Sequence, residues 1–364
     1  MPPHPRPSTA AVALATLAAS CVAPAPDPAS PEPARHVFVS THDGHVRVLA
    51  LRDGRLGETV TDVAVGEPVG FLTFHPTAPV LYALGHTALF ALAYDRASGA
   101  LTPLGRGTVG VRGTHVAVHP SGSCALVASY GEHAVAALPL DTAGVPRDVA
   151  AKLGGDERGG LRRAHQVRVH AASGAVHVPC LGEDHVAQLA VSADGRALTR
   201  VAVARTPSGA GPRHMDFAPG APLAFVLNEL AGSITTFRVD PTGGLTPSAT
   251  VSTLPSGSDE PSGRSSDVHV APDARHLYAI NREPFDDIVT FRIAADGGLR
   301  EVARTPTGGV HARTFALDPT GRHLWVGNTK SRSITTFVAH ADGSLEPLGE
   351  PWLAPADVSC VLAR

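Results

Sequence analysis

The stretch Gly211–Phe237, GPRHMDFAPGAPLAFVLNELAGSITTF, decides the fold. Short apolar runs, MDF, LAFVL and ITTF, are separated by turn residues at APGAP and ELAG, the pattern of strands in close succession. Arg213 and His214 head the first of these strands, and Asn228 and Glu229 close the second. Charged and polar groups at the ends of apolar strands need a reason, and the rest of the chain supplies one.

The same unit recurs. Its Pro-type turn appears as FHPTAP at Phe74, VHPSGS at Val118, VHAASG at Val169, FAPGAP at Phe217, VAPDAR at Val270 and LDPTGR at Leu317. Successive turns lie 44 to 53 residues apart. The third, alternating strand of each unit recurs as HVRVLAL, ALFALAY, AVAALPL, HVAQLAV, SITTFRV, DIVTFRI and SITTFVA. A repeat of this length with about four short strands is the size of a β-propeller blade. There are seven such third strands but six turns, because the run begins at His36–Ser40 with what is elsewhere a second strand. The missing first strand is then Ala356–Leu362, so both termini share one blade and the ring has no open edge. The expectation is an all-β, seven-bladed propeller over residues 36–364. An open solenoid would need capping repeats, and none is present.

Composition agrees. Of the 364 residues, 43% are hydrophobic and 17% charged, enough apolar surface for a large core and too much for a disordered chain. A net charge of −3 gives no footprint for nucleic acid or an anionic membrane. The first 35 residues differ. Ala10–Ser20 has the length of a signal-peptide apolar region, short of a membrane span. Small residues leading to Cys21 resemble a bacterial lipoprotein cleavage site, although Leu17 lies one place too far from the cysteine. Residues 1–21 are therefore expected to be a signal segment with Cys21 lipidated, and residues 22–35 a Pro-rich tether, making the protein exported to the cell envelope. An ordinary cleaved signal peptide or a disordered tail is the competing reading. Cys124, Cys180 and Cys360 have no CxxC spacing; three buried thiols are expected, with a single bridge as the alternative.

Aligned repeats give columns that face the channel. Six residues before each turn position stand Gly70, Thr114, His165, Arg213, Ser266 and Arg313, followed by Phe71, His115, Gln166, His214, Asp267 and Thr314. Inner strands line the channel, so these columns gather at one mouth. At the end of the second strand stand Ser40, Leu84, Ser129, Cys180, Asn228, Asn281 and Asn328, followed by Thr41, Gly85, Tyr130, Leu181, Glu229, Arg282 and Thr329. Repeated asparagine is explained by local backbone bonding. Glu229, Arg282 and His165 appear in one blade each, and a residue that breaks the ring's own symmetry is a candidate for function. His214, His115 and the His42/His45 pair read as structural or surface, since HxxH alone is weak evidence for a metal.

The motifs SYGEHAVAALPLD, AHQVRVHAASGAVHVPCLGEDHV, GPRHMDF, LNELAGSITTF, INRE and LDPTGRHLWVGNTK, in this order, resemble the seven-bladed propeller lactonase family. That family includes bacterial propeller-type 6-phosphogluconolactonase and carboxy-muconate lactonizing enzyme. The resemblance spans about His36 to Leu362. It implies a site in which the His of HQ is His165, the Arg of PRH is Arg213, the Glu of NE is Glu229 and a second Arg is Arg282. Cys180 stands where the family usually has Asp, and Asp267 where it often has Glu, which bears on substrate preference more than on fold.

Such a set suits hydrolysis of a sugar lactone. His165 can move a proton, Arg213 and Arg282 can hold an anion and the oxyanion, and Glu229 can orient an Arg. Arg313 and Asp267 are expected to bind substrate. GxSxG, HExxH and dinucleotide loops are absent, so no covalent nucleophile, metal or cofactor is expected. The partner is then a small-molecule lactone, with contact to a membrane only through Cys21. Two other readings stay open. One is a non-catalytic exported propeller that binds a protein or envelope ligand. The other is a calcium-dependent gluconolactonase using Glu229, Asn228, Asn281 and Asn328, for which sensitivity to EDTA is the discriminator.

Overall fold

The protein is described by a computed structural model covering Met1 and residues 35–156, 159–258 and 264–364. Cys21, the proposed signal segment and nearly all of the tether lie outside the described residues. Seven antiparallel sheets form the blades. Their inner strands are Val358–Ala363 in blade 1, Phe71–Phe74 in blade 2, His115–Val118 in blade 3, Arg168–Val169 in blade 4, Pro212–Phe217 in blade 5, Ser265–Val270 in blade 6 and Ala312–Leu317 in blade 7. The expected propeller is what forms, and no helix is present among the described residues.

The middle strands of each blade are covered on both faces by the neighbouring blades, which is why they read as unbroken apolar runs. Cys124–Ser129 and Ala134–Pro139 are buried at every position. Outermost strands such as Arg55–Ala64 are mostly exposed and polar. One apolar cluster fills each of the seven blade interfaces. Between blades 7 and 1, for example, the fully buried Trp325 packs with Val37, Val39 and Leu49. Burying one such large side chain contributes about 2–3 kcal/mol.

Closure is as expected. Val358–Ala363 pairs antiparallel with His36–Thr41, with Val39 opposite Val361 and Ser40 opposite Cys360. The ends are tied further by Arg35 N and Arg364 N, which donate to Arg364 O and His36 O. The three cysteines within the ring are free and buried, as expected of thiols in apolar strands.

Candidate active site

In blades 5, 6 and 7 the first column of channel residues is a column of β-bulges, which blade 1 continues. In blade 5 Pro212 pairs with Asn228 and His214 with Leu227, leaving Arg213 unpaired. Ser266 in blade 6, Arg313 in blade 7 and Ser359 in blade 1 are extruded in the same way. A bulge re-aims one side chain out of the ladder. Here that side chain usually staples its blade to the next. Arg213 Nε donates to Ser266 O at 2.8 Å, Ser266 Oγ to Ala312 O at 2.8 Å, and Ser359 Oγ to Val69 O at 2.5 Å. Arg313 breaks the series, because its guanidinium donates no hydrogen bond to any described residue.

Glu229 lies between two guanidinium groups. Arg213 Nη1 reaches its Oε2 at 2.6 Å and Arg282 Nη2 its Oε1 at 2.7 Å. Arg282 Nε also donates to Arg264 O at 3.0 Å, which fixes the plane of the group. Burial pushes the Glu229 carboxyl up, but Arg213 and Arg282 outweigh it and hold it at about 2. Burial, then Arg213 and Arg282, lower Arg313 to about 10, so it stays charged at neutral pH. Three guanidinium groups thus surround one carboxylate, and the mouth keeps an excess of positive charge.

His165 does not lie on a strand. The inner strand of blade 4 is cut to Arg168–Val169, and His165 sits in the segment before it, held by His165 N to Pro179 O at 3.0 Å. Its ring meets Tyr130 edge-on at 5.6 Å and His214 at 5.2 Å. Burial first, then Arg213, His214 and Arg313, push its pKa well below the ordinary value. The imidazole is therefore neutral at pH 7 and able to accept a proton. Its Nδ1 is sealed from water and has no hydrogen-bond partner among the described residues.

The structure brings His165, Arg213, Glu229, Arg282 and Arg313 into one electrostatic group. Asp267 sits deeper in the channel and is committed to protein partners: His214 Nδ1 at 2.8 Å, Phe315 N at 3.2 Å and His269 Nε2 at 3.4 Å. Below it Asp216 pairs with Arg168 and accepts from Val270 N at 3.0 Å. Burial lowers the His269 pKa, yet Asp267 and Asp216 overcome this and raise it to about 10. Sequence reasoning set His214 aside and missed Tyr130, His269, Asp216 and Arg168. The available signal was charge inside strands that are otherwise apolar, in MDF, VHV and VRV.

Comparison with known proteins is consistent across the whole ring. The family described as "Lactonase, 7-bladed beta-propeller" matches residues 36–363. A 6-phosphogluconolactonase of Klebsiella pneumoniae (strain 342) is 28% identical over 323 residues, covering 87% of this chain and 92% of that protein. Its counterpart from Erwinia tasmaniensis is 29% identical over 254 residues, covering 69% and 74%. Among solved structures, the Pseudomonas aeruginosa periplasmic gluconolactonase superposes with a TM-score of 0.77 at 23% identity, covering 89% of this chain and 98% of that one. The fold, the matched span and these relatives agree: the chain belongs to the seven-bladed β-propeller lactonase family, a class of lactone hydrolases.

Proposed function

We propose that this protein hydrolyses a sugar lactone carrying a second anionic group, a phosphate or a carboxylate, at the mouth formed by His165, Arg213, Glu229, Arg282 and Arg313. The observation that carries this reading is Arg313. It is a charged guanidinium that donates no hydrogen bond to any described residue, beside an ion-paired trio that already has one positive charge to spare. An arginine in that position is suited to a planar, bidentate anion.

In the proposed reaction His165 Nε2 accepts a proton from water as the water oxygen bonds to the lactone carbonyl carbon. The carbonyl becomes an oxyanion facing the guanidinium groups, whose preorganised charge favours it. The ring C–O bond then breaks, and the leaving alkoxide takes the proton from the imidazolium, giving the open hydroxy acid. Glu229 holds Arg213 and Arg282 in place and takes no proton at neutral pH, being ionised. Relatives named 6-phosphogluconolactonase and a neighbour named periplasmic gluconolactonase fit a substrate of this class. The apolar N-terminal run ending at Cys21 supports export with a lipid anchor.

The test is acid release at constant pH from 6-phosphogluconolactone and from unphosphorylated gluconolactone. Wild type should accelerate the phosphorylated substrate more. Arg313→Ala should raise KM for it by roughly tenfold or more while affecting the neutral lactone little. His165→Ala should lower kcat about 10²- to 10⁴-fold in a folded protein. If wild type releases acid no faster than spontaneous hydrolysis, a ligand-binding propeller becomes the better reading.

A further inference from the structure

Blade 4 departs from the ring's pattern a second time, away from the arginines. In blades 5 and 6 the residue that ends the second strand and the one that begins the third form a side-chain amide pair. Asn228 Nδ2 donates to Ser233 Oγ at 3.0 Å, and Asn281 Nδ2 to Asp287 Oδ1 at 2.9 Å. At the matching cross-strand position blade 4 has Cys180 opposite His185, with Glu183 in the turn between them. Residues opposite each other on a hairpin project from the same face at close range, so the backbone itself brings thiol and imidazole together.

From this geometry we infer a structural metal site for a thiophilic divalent cation, with zinc as the chemistry that fits, ligated by Cys180 Sγ, His185 Nε2 and the Glu183 carboxylate. The three ligand atoms lie within 4.8 Å of one another. His185 Nε2 is 3.6 Å from Glu183 Oε2. His185 Nε2 faces one further oxygen, Gly160 O, at 3.1 Å; the Cys180 thiol lies 4.0 Å from the same oxygen and donates at 3.3 Å to Val178 O, a bond that the metal would replace. A tetrahedral zinc with bonds of about 2.0–2.3 Å spaces its ligand atoms roughly 3.3–3.8 Å apart, so this cluster needs only a small contraction. A thiolate, an imidazole and a carboxylate are a donor set that favours zinc over magnesium or calcium. A surface cavity beside blade 4, lined by Gly160, Glu183, His185, Arg200 and Arg205, reaches two of the three ligands, with Cys180 buried outside its lining.

The proton balance is simple. The metal displaces the Cys180 thiol proton to solvent, and His185 moves its proton from Nε2 to Nδ1 without net loss. One proton leaves per metal bound, so affinity should rise with pH. Burial first, with the Glu183 carboxylate adding to it, holds the Cys180 thiol well above its ordinary value despite Ala187 N and Arg200, so the metal itself has to drive off the proton.

The site would act as a staple on the segment that carries His165. Leu181 N and Gly182 N donate to Arg163 O and Arg162 O at 3.2 and 3.1 Å, and Glu183 Oε2 accepts from Arg162 N at 3.2 Å. A bound metal fixes this hairpin, and through it the chain from Gly160 to His165.

The experiment is titration of the untagged, reduced full chain with Co²⁺. One equivalent should bind, with a thiolate-to-cobalt band in the near ultraviolet and intense visible bands of a four-coordinate ion, both bleached by Zn²⁺. Cys180→Ser should abolish the thiolate band, and His185→Gln should weaken binding at least about tenfold. Zinc should raise Tm of wild type and of neither variant. No thiolate band in wild type, an equal band in Cys180→Ser, or unchanged affinity in His185→Gln overturns the site. Should Cys180→Ser not fold, His185→Gln, at the edge of the cavity, decides it alone. These readouts are independent of lactone turnover.

Discussion

Glu229 shows how few residues set the electrostatics of the mouth. Its two carboxylate oxygens each take one guanidinium, and Arg213 is 4% exposed. Removing one partner from a buried pair leaves a charge without compensation, which costs about 3–5 kcal/mol. Glu229→Gln should accordingly lower the unfolding free energy in urea by about 3 kcal/mol, and a change under 1 kcal/mol would mean Arg213 relaxes to solvent. Because the folded carboxyl is held at about 2, below its ordinary value of 4.5, its contribution is present above pH 4.5 and lost as pH falls toward 2. His165 has the opposite charge type, and its lowered pKa keeps it a free base on the acid side of 6.5. A pH profile of kcat/KM should thus have its acid limb well below 6.5, and a limb at or above that value would remove His165 from the role of base. His165, Glu229 and Arg282 stood out as candidates in the sequence because each is supplied by one blade of its column, whereas Arg213 shares its column with Arg313. The His214–Asp267 bond was not legible there, since it joins residues of different blades and no local pattern records which side chains meet across a channel.

Strand identity was readable because two-sided burial writes itself as continuous apolar sequence, whereas register was not. The bulges at Arg213, Ser266, Arg313 and Ser359 each add one residue to the inner strand, and the inner strands of blades 2 and 3 pair without one, so the ring itself does not dictate them. Aligning turns found the column but not the reason for it. The shortened inner strand of blade 4 was likewise hidden, as AHQVRV looks no less strand-like than its counterparts. Within the hairpins the repeated asparagine is architecture, as its sequence pattern indicated. Asn281 donates to Thr253 O and Asp287 and accepts from Ser265 Oγ at 2.6 Å, all without solvent contact. Asn281→Ala leaves several buried groups unsatisfied and should cost about 2–3 kcal/mol by thermal or urea unfolding. A loss below 0.5 kcal/mol would show that the blade repacks around the gap.

At the scale of the whole molecule, the count of seven third strands against six turns was enough to place the last strand in the first blade. The structure puts it at Val358–Ala363, two residues later at its start than the sequence suggested, because Asp357 is spent on the turn, where its carbonyl takes His42 N at 3.0 Å. Deleting residues 355–364 removes the inner strand of blade 1 and uncovers the edge of His36–Thr41. The truncated chain should be insoluble or associate into aggregates on size-exclusion chromatography, and a monodisperse, folded product would contradict closure by strand pairing.

That closing pair also imposes an order in time. His36–Thr41 is among the first segments of the ring to be made, yet its partner lies 319 residues away at the Ser40–Ser359 contact. Such distant pairing is slow to form, and until Val358–Ala363 exists the young chain carries one unsatisfied edge throughout its synthesis. Arg313, in blade 7, borders the same seam and senses Cys360 of the closing strand. In refolding, catalytic competence should therefore appear in step with the joining of the two ends, and not with the earlier gain of β-structure.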